Sequence, residues 1–493
     1  MHCLNQGKCM IRWVILTLCF SICMTGCMPF HPSSRNATAP VPLPEDFAAA
    51  KGGEMVQAQW WHALQSEELD RLVDRALSEN FDIRAAWARL RQARAQTQKS
   101  GAGLVPSVEG SASGERERSH QKQPPRGEGG TTTSESLTYG LSASYELDIW
   151  GQLRSERQAQ RLTTRASRQE VESAALSVVG QIATRWVDVL ALRQQIDVLN
   201  EEIQAQKDLL KLQRVRFING AIDGPTLTQQ RRQLVSAKAA LPELRAQLGR
   251  AENALATLVG AGGPETLALQ QSALPPLLPY PETGLPAQLL AERPDIQAAW
   301  FKLQAADWDV AVAQADMLPS VSFSAGRTYT NDVFGLDWTR WVSRLTGNLT
   351  APLFSGGRRL AEVERNRAVV EQRVADYGGV VVKAFQDVRD ALVNEHHQRQ
   401  AVEQTREQLQ TARQALQQAR TRYGYGQGAY VDVVAEKASV AQLERQLLQD
   451  RAGLLTDRIA VYRALGNSWT DSLRRSLQGK QRGNRDDGTR GSS

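Results

Sequence analysis

Cysteine is nearly absent from this 493-residue chain. All five cysteines, Cys3, Cys9, Cys19, Cys23 and Cys27, lie in the first 27 residues, so a chain that loses its leader keeps at most one. That distribution excludes an intrachain disulfide framework and a thiolate metal cluster. Histidine is scarce too, with six residues and none at the i,i+4 spacing of helical metal ligands, and there is no nucleophile elbow or phosphate loop. We therefore expect no enzyme, no metal site and no cofactor.

The chain also lacks a strong charge of either sign. Lys and Arg total 59 against 53 Asp and Glu, which gives a net charge of +6, and no basic run is interleaved with aromatic residues. Nucleic acid is therefore a poor candidate partner. Beyond the leader no segment has 18 uninterrupted apolar residues, so the sequence predicts that any crossing of a membrane is made by β-strands closed into a barrel.

The chain begins with a short basic and apolar leader. Lys8 and Arg12 precede the apolar run Trp13–Cys23, which is too short for a permanent span, and Met24-Thr-Gly-Cys27 follows. This pattern resembles a bacterial lipoprotein signal, in which residues 1–26 are removed and Cys27 becomes the lipid-bearing N-terminus. Met24 replaces the usual leucine, and an ordinary signal peptide with an incidental cysteine is the alternative. Both interpretations predict export, and the lack of an aspartate after Cys27 implies the outer membrane by the same resemblance.

The two ends of the mature chain have the composition of unstructured segments. Residues 27–60 are rich in proline, serine and alanine, which predicts an extended tether that lipid at Cys27 would anchor to the membrane. Trp60 and Trp61 are candidates to fix the end of this tether on the folded body. Residues 467–493 are polar and predict a disordered tail.

Proline and glycine are almost absent from the first 65 residues of the stretch Arg358–Gly466. This stretch predicts two antiparallel helices, at about 358–422 and 429–465, joined by a turn at Gly426 and Gly428. Apolar residues recur every seven positions, a period typical of a left-handed coiled-coil seam. They are Val402, Leu409, Leu416 and Tyr423. Because the seam is narrow, the helices need other long helices beside them.

The same arrangement occurs 206 residues earlier in the chain. Gly220 matches Gly426, and the matching heptad residues are Ile196, Ile203, Leu210 and Phe217. Upstream, Asp82–Trp87 matches Asp295–Trp300 at an offset of 213. The chain is therefore a tandem duplication. It has a first repeat at 61–266 with helices at about 152–218 and 225–259, a linker at 267–293 rich in proline and leucine, and a second repeat at 294–466.

Each repeat also contains two candidate strands before its long helices. They lie at about 104–118 and 137–149 in the first repeat and at about 320–330 and 345–354 in the second. The segment Leu137–Ile149 alternates strictly, and its 13 residues exceed the roughly 9–11 that a tilted membrane strand needs. Four strands cannot close a barrel, and open sheet edges do not survive in hydrocarbon. The pattern predicts a homo-oligomer whose barrel continues into a helical tube with a polar lining.

The order and spacing of these features resemble outer-membrane efflux proteins of the TolC/OprM type, in particular their NodT-like lipoprotein branch. The resemblance covers residues from about 60 to 466. It is carried by Leu285–Ile296, Leu318-Pro-Ser, Ala351–Arg358, Asp148–Arg154 and the two hairpin turns. It implies a mostly α-helical chain with transmembrane β-strands, assembled as a homotrimer. In that assembly a 12-stranded outer-membrane β-barrel, four strands per chain, continues into a long periplasmic α-helical barrel.

The resemblance also implies a function and partners. The chain would be the outer-membrane channel of a tripartite efflux pump, a passive exit duct for drugs, toxic compounds or metal ions. Its partners would be a periplasmic adaptor (membrane fusion) protein, an inner-membrane transporter of the RND type and outer-membrane lipid. Two alternatives stay open: the duct of a type I protein-secretion system, and a lipid-anchored periplasmic coiled-coil scaffold. The scaffold does not account for alternating strands in both repeats, and the transported substrate cannot be read from the sequence.

The family closes its periplasmic end near the second hairpin turn. By resemblance, Tyr423 corresponds to a gate tyrosine and Asp432 to an aspartate of the constriction ring, where three copies would attract cations. The chain departs from the pattern at Gly428, where a relative has a basic residue, and at Ala435, beside Glu436, where a relative has a second aspartate. The alternative gives Tyr423 a seam role alone and makes Asp432 an ordinary acid on a helix dipole.

Overall fold

The computed structural model describes residues 29–32, 35, 59–121, 130–281, 292–332 and 336–466. The predicted signal peptide 1–26, the lipidation of Cys27, most of the tether, part of the linker and the tail 467–493 lie outside the described residues.

The chain divides into two compact units. One contains the strands and the helical segments next to them, within residues 90–167 and 299–377. The other contains the helical hairpins, within residues 168–298 and 378–466, together with residues 59–89. Each unit draws on both sequence repeats.

The helices of the described chain repeat in length as well as in sequence. The first helical hairpin consists of 67-residue and 36-residue helices, and so does the second. The helices are α1 (Glu67–Glu79), α2 (Phe81–Ala102), α3 (Gln152–Ile218), α4 (Gly224–Val259), α5 (Pro294–Ala315), α6 (Arg358–Gly424) and α7 (Tyr430–Leu465). Two short 3-10 turns, Trp60–Leu64 and Pro264–Thr266, complete the helical elements.

Four strands form one antiparallel sheet in the order β1-β2-β3-β4. The strands are β1 (Ser107–Gln121), β2 (Gly130–Leu147), β3 (Ser320–Asn331) and β4 (Trp341–Thr350). β1 and β2 come from the first repeat and β3 and β4 from the second, so both repeats contribute to a single sheet. β1 and β4 are edge strands within the chain.

Three strands differ in extent from the sequence-based expectation. β1 continues to Gln121 and β2 starts at Gly130, because the β-branched run Thr131–Thr133 pairs with Arg118–His120 and extends the ladder outward. β4 starts at Trp341, which pairs with Tyr329, and it ends at Thr350. Pro352 follows shortly after and lacks the N–H that a further ladder bond would require.

The two faces of the sheet have opposite character. The register places Tyr139, Tyr329 and Trp341 in one row and Tyr145 beside Phe323 in another, and alternate residues share a face. The opposite face of the two central strands consists of polar residues and glycine, and apart from Glu146 at the end near α3 the polar residues are small. These are Thr138, Gly140, Ser142, Ser144, Ser322, Ser324, Gly326 and Thr328. Such a sheet has one side suited to lipid and one suited to water.

The core of the helical unit surrounds Trp186 on α3, which is completely buried. Its indole N–H donates to Glu68 at 2.8 Å, and the second oxygen of Glu68 accepts backbone N–H groups of Gln270 and Gln271 at 2.6 and 3.0 Å. Trp60 and Trp61 are buried in the same cluster. They therefore pack into the helical unit at the end of the predicted tether.

One helix among those described, α3, contains an 18-residue stretch apolar enough to cross a membrane by length and composition. Two-thirds of that stretch, 67%, is buried inside the protein. We attribute its apolarity to the protein core.

Candidate functional site

The two helical hairpins turn with the same backbone hydrogen bonds, 206 residues apart. In the first turn Ala221 N–H donates to the carbonyl of Arg216 at 2.8 Å, and in the second Gln427 N–H donates to that of Arg422 at 2.9 Å. A second bond, at 3.0 Å, links Gly220 to Phe217 and its counterpart Gly426 to Tyr423. The duplication seen in the sequence is therefore preserved in backbone geometry.

Glycine is required at the centre of both turns. Gly220 has φ +70° and Gly426 has φ +69°, the left-handed region that a side chain disfavours. Gly428 serves the turn differently, because an added Cβ would approach the Cβ of Arg422 at 3.2 Å. The sequence had placed all three glycines at helical turns, and the structure gives two of them a conformational reason and the third a steric one.

The helices that leave the turns begin differently. In the first turn the Asp223 carboxylate caps α4 by accepting the backbone N–H of Thr226 at 3.1 Å, and bonds from Thr226 lower the pKa of Asp223. In the second turn Ala429 occupies the cap position and provides no side-chain bond. The acidic residue of the second turn, Asp432, instead lies inside the first turn of α7, where its charge faces the positive end of the helix.

A tyrosine–arginine contact links the two hairpins beside their turns. Arg216 donates a hydrogen bond from Nη1 to the phenol oxygen of Tyr423 at 2.6 Å, and its guanidinium carbon lies 5.8 Å from the centre of the same ring. The ring of Tyr430 packs on Tyr423 with centroids 5.0 Å apart. We call the hydrogen bond between Arg216 and Tyr423 the latch.

The sequence singled out Tyr423 and missed its partner. Arg216 belongs to the first turn motif and corresponds to Arg422 under the repeat, whereas Tyr423 corresponds to Phe217. The duplication therefore does not relate Arg216 and Tyr423 to each other. Only the packing of one hairpin on the other brings the guanidinium to the phenol. The sequence indicates this contact only by placing a cation at the end of one hairpin and a tyrosine at the end of the other.

The predicted ring acids are near the turn but separate from the latch. Asp432 is exposed, and Glu436, one helical turn later, is half-buried. In the part of the chain that the structure describes, neither carboxylate makes a hydrogen bond or ion pair, and none joins them to Tyr423. Both acids lie on one face of α7, as the i,i+4 spacing requires.

Each hairpin has an apolar seam of its own. The seam of the first hairpin is the cluster Leu199, Ile203, Leu210, Leu234 and Ala237. The seam of the second is the cluster Leu409, Ala412, Leu416, Val433 and Val440. Toward the turns the contacts that we find between the hairpins are polar: the latch, and a pair between Glu202 on α3 and Arg445 on α7. Separating the hairpins at these points therefore breaks polar contacts and leaves each seam intact. Farther from the turns the hairpins share an apolar core, in which Leu455 and Ile459 of α7 lie in one cluster with residues of α3 and α4.

A buried ion cluster fixes the linker to the second hairpin. Glu395 on α6 accepts hydrogen bonds from Arg399 at 2.6 Å and from Arg458 at 2.5 Å, and it is 1% exposed. Arg458 also donates to the carbonyl of Leu278 at 2.6 Å, and the Tyr280 ring lies 4.8 Å from its guanidinium. We call Glu395, Arg399, Arg458 and Tyr280 the clamp.

The linker is held at a second point farther along. Arg293, in the motif that carried the family resemblance, donates to the carbonyl of Ala464 at 2.9 Å. Its remaining nitrogens bind Asp295 at 2.7 Å and Asp387 at 3.3 Å. The arginine therefore ties the start of the second repeat to the middle of α6 and to the end of α7, which explains why this motif is informative.

Known proteins resemble the chain along nearly its whole length. A family model described as outer membrane efflux protein matches residues 72–261 and 285–467. The pyoverdine export outer membrane protein OpmQ of Pseudomonas putida is 31% identical over 466 residues, covering 91% of this chain and 96% of that protein. The cation efflux system protein CusC of Escherichia coli is 25% identical over 463 residues, covering 92% and 98%. The outer membrane channel CmeC of Campylobacter jejuni has the same fold, with a TM-score of 0.81 at 22% identity, covering 91% and 97%.

Proposed function

Because the chain belongs to the outer membrane efflux protein family, we propose that three copies form the exit duct of a tripartite efflux pump. The protein is an outer-membrane efflux component, as are the relatives that match it from end to end. The observation that carries the proposal is the four-stranded sheet with one apolar face, one polar face and two open edges.

The open edges support assembly with other copies. β1 and β4 each present unpaired backbone groups on one side, which hydrocarbon does not tolerate. Pairing β4 of one copy with β1 of the next satisfies these groups. Three copies supply twelve strands, with the polar faces turned to a water-filled lumen and the apolar faces to lipid.

The latch supports a closed state at the hairpin turns. In three copies, three bonds between Arg216 and Tyr423 would hold the hairpins together, and Asp432 and Glu436 would add negative charge near the axis. Opening would break the latch while the apolar seams hold each hairpin together. The turn ends of the hairpins would then separate at the cost of a few polar contacts, while the apolar core that joins the hairpins farther from the turns stays intact.

Exposed apolar residues near the first turn support a partner at this end. Leu212, Val215 and Ile218 of α3 are 50%, 55% and 81% exposed. They project at the end of the hairpins, where a periplasmic adaptor would bind and couple the duct to an inner-membrane transporter of the RND type. An apolar tip of this kind is suited to helix-on-helix contact.

Transport through the duct requires no catalytic group, and the pump selects the substrate. OpmQ exports pyoverdine and CusC belongs to a cation efflux system, so relatives of one fold have different cargo. We propose that this chain likewise passes drugs, toxic compounds or metal ions chosen by its pump, and that it catalyses nothing.

A deletion strain tests this function. We expect deletion to lower the inhibitory concentration of at least one class among drugs, other organic toxicants and metal ions, and a plasmid copy to restore it. An unchanged profile in every class would contradict efflux. Loss of a secreted protein from the medium with an unchanged profile would instead support type I secretion.

A further inference from the structure

Where all four described strands pair, the apolar face of the sheet contains one cation, Arg327. Two further arginines on that face, Arg116 and Arg118, lie on the part of β1 that extends beyond the end of β3. The register pairs Arg327 of β3 with Leu141 of β2 and Ser343 of β4, and its neighbours two positions away on the same strand are Ala325 and Tyr329. Its side chain is exposed. A charged residue on a lipid-facing surface is costly and is commonly functional when it occurs.

Aromatic rings, and no carboxylate, surround this guanidinium. Its central carbon lies 4.0 Å from the ring centre of Trp341 and 5.6 Å from that of Tyr329. Tyr329 stacks on Tyr139 at 5.4 Å, and Trp338 meets both tyrosines edge-on at 4.9 Å. We call Tyr139, Tyr329, Trp338 and Trp341 the aromatic cluster; such residues are typical of a membrane–water interface.

On the face of Arg327 and in the loop between β3 and β4, the described acids at this end of the sheet already have partners. Asp332 pairs with Arg340 at 2.7 Å, and Glu135 pairs with Arg116 at 3.2 Å. Asp337 accepts two bonds from Thr339, both at 2.9 Å, which lower the pKa of Asp337. Among the described residues no acid is within ion-pair distance of Arg327, so its charge is available to an outside anion.

The position of Arg327 along β3 determines which leaflet of the membrane its side chain would contact. β2 leads through Leu147 into the first part of α3, which belongs to the same compact unit, so the end of the sheet at Leu147 is the end next to the start of α3. Arg327 is seven residues along β3 from that side and four residues from its far end at Asn331. In the proposed membrane crossing of the strands, the guanidinium would therefore lie in the half of the membrane that is farther from the start of α3, just inside the aromatic cluster.

We propose that Arg327 and the aromatic cluster bind the phosphate of a glycolipid headgroup in the outer leaflet. This inference rests on the proposed membrane crossing of the strands. Arginine recognises phosphate through paired N–H donors, and its stacking on Trp341 orients it for that contact. The rings would cover the junction of headgroup and acyl chains.

Arg344 provides a matched control. It lies on β4 opposite Gly326, one position from Arg327 along the ladder but on the polar face. It too is exposed and makes no ion pair among the described residues. Replacing either arginine by glutamine removes one charge at the same level of the sheet, and only Arg327→Gln removes it from the lipid-facing side.

The experiment measures lipid binding to full-length protein purified from outer membranes in mild detergent. After removal of bound lipid, lipid A and its enzymatically dephosphorylated form are added, and native mass spectrometry counts the lipids retained. We expect Arg327→Gln to weaken lipid A binding about tenfold, the effect of losing a charged hydrogen bond, and Arg344→Gln to bind like the wild type. Arg327→Lys should bind at an intermediate level, because it keeps the charge and loses the paired donors.

Equal binding by the wild type and Arg327→Gln would overturn the proposal, and so would equal binding of the dephosphorylated lipid. An equal loss in both glutamine variants would also overturn it, since a general charge effect would then suffice. Recovery of every variant from the outer membrane with an intact sheet signal in circular dichroism separates these outcomes from misfolding. Failure of the wild type itself to reach that membrane would count against the membrane crossing instead.

Discussion

At the scale of single residues, the latch depends on one acceptor atom, the phenol oxygen of Tyr423. The phenol oxygen of Tyr423 accepts the hydrogen bond of Arg216 at 2.6 Å, while the ring of Tyr423 packs on Tyr430 without using that oxygen. Bonding and packing can therefore be separated by a small substitution.

We expect Tyr423→Phe to open the duct more often. The change keeps the ring and removes the acceptor, and a hydrogen bond to a charged group contributes about 1.5–3 kcal/mol. A loss near the lower figure would shift the ratio of open to closed channels roughly tenfold. Single-channel conductance in planar bilayers measures that ratio.

Tyr425→Phe is the control for this prediction. Tyr425 lies two residues farther along and is 78% exposed. Its variant should conduct like the wild type. If Tyr423→Phe also conducts like the wild type, Tyr423 has a seam role alone.

The clamp predicts a loss of stability when its single acid is neutralised. Glu395→Gln would leave two arginines, one of them fully buried, without their counter-charge. Breaking a buried ion pair from one side typically costs about 3–5 kcal/mol. We expect a clearly lower thermal unfolding midpoint in detergent for Glu395→Gln. Glu403→Gln should lie within about 0.5 kcal/mol of the wild type, because the pair between Glu403 and Arg406 is exposed at both ends.

The same carboxylate predicts a dependence on pH. Burial raises the pKa of Glu395, but the hydrogen bonds and charges of Arg399 and Arg458 outweigh burial and lower it below its ordinary value of 4.5. A carboxyl group with a lowered pKa stabilises the fold above that ordinary value and loses this effect as the pH falls through the folded pKa. The gap in unfolding midpoint between the wild type and Glu395→Gln should therefore be constant from neutral pH to about 5 and shrink below 4.5. A gap that grows on acidification would contradict the clamp.

At the scale of elements, the long helices could be read from the sequence because their periodicity is local. The sequence predicts helices at about 152–218 and 358–422, and the structure has helices at Gln152–Ile218 and Arg358–Gly424. In both segments the absence of proline, the seven-residue spacing of apolar residues and the glycine turn all predict a long helix that ends in a hairpin. The predicted fold class, mostly helical with a small antiparallel sheet and a tandem repeat, is confirmed by the likeness to solved channels.

The ends of the strands and the contacts between elements were harder to predict from the sequence. The start of β2 at Gly130 depends on pairing with β1, which alternation within one strand does not encode. The partner of Tyr423 lies 207 residues away on another hairpin, and Glu395 finds Arg458 63 residues away. Each of these pairs forms only after long helices have packed, so no short stretch of sequence specifies it.

At the scale of the whole molecule, we propose that neighbouring copies close the sheet. The sheet of the described chain ends at β1 and β4, and one of its two faces is apolar. The proposed ring of three copies follows from these edges and from membership in the efflux family.

The most direct measurement is disulfide cross-linking of the two edges in outer membranes. Cysteine is introduced at Ser111 on β1 together with one of Arg344, Thr346 or Asn348 on β4, all on the polar face of the sheet. The native cysteines all lie within residues 1–27, so they add no background from the sheet. Cysteines at Ser324 and Thr346, which are direct partners within one chain, provide the matched intrachain control.

We predict that oxidation of at least one edge pair gives a ladder of one, two and three chains that stops at three. The control pair should oxidise within a single chain and give no ladder. Single chains alone from every edge pair, with the control pair oxidised, would contradict the account, and so would a ladder that continues past three.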